Sequence, residues 1–366
     1  MKAMNRTMKI KLMAIAVALT TAACTESEKP LKDNPTESSP AANLNDNVDG
    51  KNMPSRNLNL NLQQTTVSGL SSGAYMAHQL HIAYSDKIKG AALLAGGPYG
   101  CAKGDLNTAL SACMTVKKPM DVAPLIELAK QAEEQGSIAS LNNIKNHPVW
   151  IFHGSADNRV NDNVTQASVD FYTQLGAAPA AEFNIKVGHG FPTENSGVQC
   201  DTTAEPFINQ CDYDAAGKLL THLYGKLNNK VQTMSETESN SGKVIEIHQA
   251  DFVSEGQDNT LADTGYAFVP DSCASGKECR VHIALHGCKQ NAEAIDQAYI
   301  TDSGLNPWAA TNNIVVLYPQ TKSSYAPLNP NACWDWWGYT GPEYQSRDGA
   351  QMQQVINMVE GLTEAL

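Results

Sequence analysis

From about residue 57 to residue 227, short apolar runs take turns with segments whose apolar positions recur every three to four residues. Stretches 63–67, 91–95, 149–153 and 183–187 read as strands, and 73–84, 122–134, 163–175 and 215–223 as amphipathic helices. Alternating strands and helices predict an α/β fold, a mostly parallel sheet covered by helices on both faces. A polar stretch near 228–242 interrupts the pattern, and further strands follow at 244–250, 265–270, 280–285 and 314–318. This last part reads as strand-heavy and poor in helices. A second domain is one reading of it. The preferred one is that residues 57–366 form a single domain whose two halves share one sheet of about eight strands. No internal repeat is present.

The first 56 residues have a different pattern. Lys2, Arg6, Lys9 and Lys11 precede a short apolar run, 12–19, and then Thr20, Thr21, Ala22, Ala23 and Cys24. The run is too short to cross a bilayer, so residues 1–23 read as an export signal. Small residues before Cys24 resemble a bacterial lipobox, which implies a lipid on that sulfur. The other reading is an ordinary signal cut near Ala23. Residues 24–56 hold Asn, Pro, Ser, Asp and Glu with few large apolar side chains, and read as a flexible polar tether.

Charge and cysteines narrow the partners. The chain has 26 basic and 38 acidic residues, net −12, which becomes about −16 once the four bases of the leader are gone. That excludes nucleic acid as a partner, and leaves membrane contact only through a lipid on Cys24. Eight cysteines remain beyond Cys24, an even number that in an exported chain reads as disulfides. Connectivity does not follow from sequence, but Cys101/Cys113, Cys200/Cys211 and Cys273/Cys279 are near neighbours, which leaves Cys288 for Cys333. A zinc site is the alternative, yet neither a C-x-x-C pair nor H-E-x-x-H occurs. No metal and no cofactor are expected.

The candidate chemistry starts at Gly69-Leu70-Ser71-Ser72-Gly73, a G-x-S-x-G between a predicted strand and a predicted helix. That setting suits a nucleophile elbow, in which glycines permit a sharp turn that lifts the serine hydroxyl out of the sheet edge. A serine needs a histidine to take its proton and an acid to orient that histidine, in the chain order Ser, acid, His for α/β-hydrolases. Asp157 follows the apolar strand at 149–153, and His189 sits between glycines after the run at 183–187. Ser71, Asp157 and His189 obey the order. Asp162 is the reserve acid. His78, His81, His147, His153, His222 and His248 lack a glycine-flanked strand-end setting and read as structural or solvent-facing.

An oxyanion hole uses the N–H after the nucleophile, here Ser72, and a second N–H from an H-G-type loop. No such loop lies upstream of Ser71; one appears at His286-Gly287-Cys288, after the histidine rather than before the serine. The simplest reading is a circularly permuted α/β-hydrolase, with the stretch near 228–242 bridging the old ends and the Cys288 N–H as second donor. The bland alternative is a turn beside a structural disulfide.

At this point the chain resembles a family. Val67–Gly73 with Gln79–Ser85, Ala95–Tyr99, His153–Asp157, Leu285–Cys288, Asn313–Gln320 and Cys333–Tyr339, in that order, are similar to the circularly permuted single-domain poly(3-hydroxybutyrate) depolymerases. The resemblance implies Ser71 as nucleophile, Asp157 as acid, His189 as base, and the Ser72 and Cys288 amides as oxyanion donors. It implies hydrolysis of hydroxyalkanoate polyesters or their oligomers through an acyl-enzyme. Trp334, Trp336, Trp337 and Tyr339 form an aromatic-dense segment that suits an aliphatic ester groove, with core packing as the other role. The competing functions are an esterase for feruloyl or aryl esters, and a surface lipoprotein that binds a partner on a hydrolase scaffold.

Overall fold

A computed structural model describes residues 57–231 and 241–363. The leader 1–23, Cys24, the tether 24–56 and most of the bridge near 228–242 lie outside the described residues.

Eight strands build the main sheet: β1 Thr65–Leu70, β2 Ile88–Leu94, β3 Val149–Phe152, β4 Ala180–Glu182, β5 Gly242–His248, β6 Thr264–Pro270, β7 Arg280–Leu285 and β8 Ile314–Tyr318. Their order is β4-β3-β2-β1-β7-β8-β6-β5. Every pair from β4 across to β8 is parallel, while β6 runs antiparallel to both β8 and β5. Each half of the chain forms one contiguous block, and the blocks meet where β1 pairs with β7, Gly69 opposite Leu285. That seam places the serine turn beside the His286-Gly287-Cys288 turn.

Both faces are covered, because the strands are apolar on both. Val149 and Ile151 pack on one side with α1 Ser72–Ala83, α2 Ala123–Glu134, α3 Asp162–Gln174 and α6 Ala350–Gly361. Trp150 and Phe152 point to the other side, against α4 Ala215–Tyr224 and α5 Leu305–Asn312. Alternation along a buried strand sends successive side chains to opposite faces. Helices α5 and α6 correct the expectation of a helix-poor C-terminal half. Pro307 lies inside the first turn of α5, where its missing N–H costs nothing.

One predicted strand is displaced. The sheet edge is Ala180–Glu182, paired with β3, whereas 183–187 forms no strand. Its carbonyls instead hold the acid loop: Ser155 and Ala156 donate to Ile185 and Val187 at 2.8 and 3.1 Å. His189 therefore leaves a loop, not a strand end, and is followed by Phe191–Thr193 of a separate three-stranded sheet.

All four disulfides join the expected partners: Cys101–Cys113, Cys200–Cys211, Cys273–Cys279 and Cys288–Cys333.

Candidate active site

Strand β1 ends at Leu70 and α1 begins at Ser72, so Ser71 alone makes the turn, with φ 55° and ψ −120°. A non-glycine residue in that region is strained, and the neighbours must make room. A Cβ on Gly69 would lie 2.1 Å from the Gly73 carbonyl oxygen, and one on Gly73 would lie 2.3 Å from that of Leu285. The two glycines are required by close backbone approach. Helix α1 directs its unpaired first amides, Ser72 among them, toward the serine side of the sheet.

The acid and base loops meet there. His189 Nδ1 lies 2.7 Å from Asp157 Oδ2, with the Asp157 side chain fully covered and that of His189 10% exposed. Asp157 Oδ1 accepts the Arg159 and Val160 amides at 2.7 and 3.1 Å. Burial opposes the charge on Asp157, but the hydrogen bond and charge of His189 and the Arg159 amide outweigh it and hold the carboxyl below its ordinary range. With Nδ1 donating to the carboxylate, His189 keeps Nε2 free as a base. His189 and Ser71 line one cleft of about 440 Å³, within the usual size of a small-molecule site.

The other candidates go elsewhere. Asp162 is exposed and bonds the Asn163 amide. His78 and His81 are fully buried under α1, where His81 bridges the Tyr172 hydroxyl and His147 at 2.8 and 3.0 Å. His153 is buried against the Thr165 hydroxyl, His222 is half-buried and His248 pairs with Asp251 at the surface.

The His286-Gly287-Cys288 turn is held in a way the sequence did not reveal. His286 Nδ1 donates to the Gly287 carbonyl at 2.7 Å and its Nε2 accepts the Thr321 amide at 3.2 Å, which fixes a neutral ring. Burial lowers its pKa to about 4. The Gly287 amide is taken by Gln290 Oε1 at 2.7 Å and the Lys289 amide by the Asn331 carbonyl. The Cys288 amide has no hydrogen-bond partner among the described residues, and Cys288 lines the cleft with Ser71.

The aromatic segment divides. Trp336 and Trp337 line the cleft, and Trp336 stacks on Tyr75 of α1 with ring centroids 4.1 Å apart. Trp334 and Tyr339 do not line it. Trp334 is fully buried against His286, and Tyr339 spends its hydroxyl on Cys333, Asn329 and Gln351. Asp335 organises the loop by accepting the Gly338, Tyr339 and Thr340 amides and the Thr340 hydroxyl. Leu106, Leu110, Met114, Phe207, Leu328 and Pro330 supply apolar lining that no periodicity announced, since they sit on a five-residue helix, a two-residue strand and loops.

No family model matches the chain. A poly(3-hydroxybutyrate) depolymerase of Delftia acidovorans is 39% identical over 316 residues, 84% of this chain and 61% of that one, so the match spans about three fifths of that relative. A polyhydroxybutyrate depolymerase of Talaromyces funiculosus is 36% identical over 329 residues, 82% of this chain and 90% of that one. The chain belongs to the poly(3-hydroxybutyrate) depolymerase family. Its members are carboxylic ester hydrolases, and the structural match agrees. The crystal structure of the depolymerase from Penicillium funiculosum superposes with a TM-score of 0.75 at 32% identity, covering 85% of this chain and 98% of that one. A serine-to-alanine variant of a depolymerase complexed with an R3HB trimer gives 0.77 at 32% identity, with 85% and 99% coverage.

Proposed function

We propose that this depolymerase-family protein is an extracytoplasmic serine esterase that hydrolyses poly(3-hydroxybutyrate) or related hydroxyalkanoate polyesters and oligomers. The observation that carries the reading is the buried Asp157–His189 pair opening onto the cleft that holds Ser71. Ser71 Oγ attacks the ester carbonyl while His189 Nε2 takes its proton, and Asp157 stabilises the imidazolium. The Ser72 and Cys288 amides receive the oxyanion. Collapse expels the alcohol, protonated by His189, and leaves an acyl group on Ser71. Water, deprotonated by His189, then releases the acid. This chemistry needs no metal or cofactor.

The apolar lining with Trp336 and Trp337 suits an aliphatic chain. The depolymerase that holds an R3HB trimer supports the substrate class. Four disulfides favour an oxidising compartment, in keeping with a leader at 1–23, an anchor at Cys24, a tether at 24–56 and a catalytic domain from 57 onward. The block order of the sheet supports a circularly permuted hydrolase.

Ser71→Ala is expected to reduce kcat on hydroxybutyrate oligomers by roughly 10³-fold or more without lowering Tm. Turnover surviving in that variant would refute the nucleophile assignment. Faster turnover of feruloyl than of hydroxybutyrate esters would reassign the substrate.

A further inference from the structure

Two side chains at the cleft are cations without a counter-ion. Arg159 and Lys289 both line it, both are exposed, and neither forms an ion pair among the described residues. Among the described residues no acidic side chain lines the cleft. The nearest carboxylate in sequence, Asp157, is covered and already engaged by His189 and two amides. In a chain with 38 acids and 26 bases, a purely basic lining runs against the overall charge.

Both cations are also tied to the reacting groups. The Arg159 amide holds Asp157 Oδ1, and Asp157 holds His189. Lys289 follows the proposed oxyanion donor Cys288, with a left-handed φ of 57° and its amide donating to the Asn331 carbonyl. The cations therefore flank the cleft from the acid loop and from the oxyanion loop.

A chain of hydroxyacids joined by esters is neutral along its length and carries charge at one place, the carboxylate end. We propose that Arg159 and Lys289 form a carboxylate subsite, so that this cleft prefers acid-ended hydroxyalkanoate oligomers to capped or interior segments. The chemistry sets the direction. In any scissile ester the carboxylate end belongs to the departing alcohol, and His189 protonates that alcohol. Arg159, on the loop that holds His189, suits that side. Cleavage then releases short hydroxyacid anions from the carboxyl end, while the remainder is carried on Ser71 until water frees it. The direction rests on the serine-esterase reading. The charge preference can be measured without turnover.

The test compares the free acid of an (R)-3-hydroxybutyrate trimer with its methyl ester. The wild type is expected to show kcat/KM roughly five- to tenfold higher for the acid, carried by KM. The ratio should approach one in Arg159→Met/Lys289→Met, and in the wild type at 1 M salt, where screening acts within about 3 Å. Calorimetry of both ligands on Ser71→Ala reads the same preference as affinity. Equal kcat/KM and equal affinity for acid and ester, or a preference surviving in the double variant, would overturn the proposal. Turnover in Ser71→Ala would strike the esterase reading instead, and the binding comparison would still decide the subsite.

Discussion

Gln290 is almost completely buried and uses both ends of its amide. Oε1 accepts the Gly287 amide, while Nε2 donates to the Pro206 and Phe207 carbonyls at 3.1 and 3.0 Å. Phe207 in turn accepts the Phe191 amide, two residues after His189. One side chain thus braces the proposed oxyanion turn against the histidine loop. Gln290→Met should lower kcat about 10- to 100-fold with little change in KM, because donors placed for the transition state act on kcat. A trifluoromethyl ketone that forms an oxyanion adduct should lose affinity in parallel. An unchanged kcat in a folded variant would reduce Gln290 to packing. Asp157→Asn should cost roughly 10⁴ in kcat by favouring the wrong histidine tautomer, with substrate affinity retained when measured directly. At this scale the sequence offered Ser71, Asp157 and His189 as candidates, Ser71 and His189 through flanking glycines and Asp157 through its place after a strand. It did not supply Gln290, whose role depends on carbonyls more than 80 residues away.

Among elements, the seam of β1 and β7 and the loops beyond it decide the site. Cys288–Cys333 closes 45 residues and joins the proposed oxyanion turn to the tryptophan loop. Removing it in Cys288→Ala/Cys333→Ala should lower stability by about 2–4 kcal/mol. The loss should also exceed that from cutting Cys273–Cys279, which closes only 6 residues. Paired denaturation curves measure both, and a larger loss at the short bridge would contradict the loop argument. The strand periodicities were legible because β-strands buried on both faces are nearly continuous apolar runs. The run at 183–187 misled for the same reason: Phe183, Ile185 and Val187 alternate like a strand, yet that backbone is committed to the acid loop. Aromatic content marked the tryptophan segment, but only packing separated Trp336 and Trp337 from Trp334.

For the whole molecule, burial of neutral imidazoles sets the acid limit. Burial lowers His78 and His282 to about 3 and His286 to about 4, and pushes His81 well below its ordinary value. Their folded values lie below the unfolded value of about 6.5, so the unfolded chain binds protons first. This stabilisation is full above pH 6.5 and is lost as pH falls toward 4 and then 3. Each such histidine adds a slope of about 1.4 kcal/mol per pH unit in that window. Denaturant midpoints should therefore drop steeply from pH 6.5 to 4 and stay nearly flat from 7 to 8. His282→Asn should flatten the acid limb, and an unchanged slope in that variant would exclude His282 as a contributor.

The sequence alone pointed to an α/β sheet of about eight strands, put the three triad candidates in order and set three cysteine pairs close together, because periodicity, turn chemistry and near-neighbour spacing are local. Tertiary structure alone decided that the H-G-C turn faces the serine, which groups take the Gly287 and Lys289 amides, and which tryptophans reach the cleft. Those outcomes turn on which distant backbone groups consume each donor. A hydrogen bond between residues tens of positions apart leaves no trace in the order of residues.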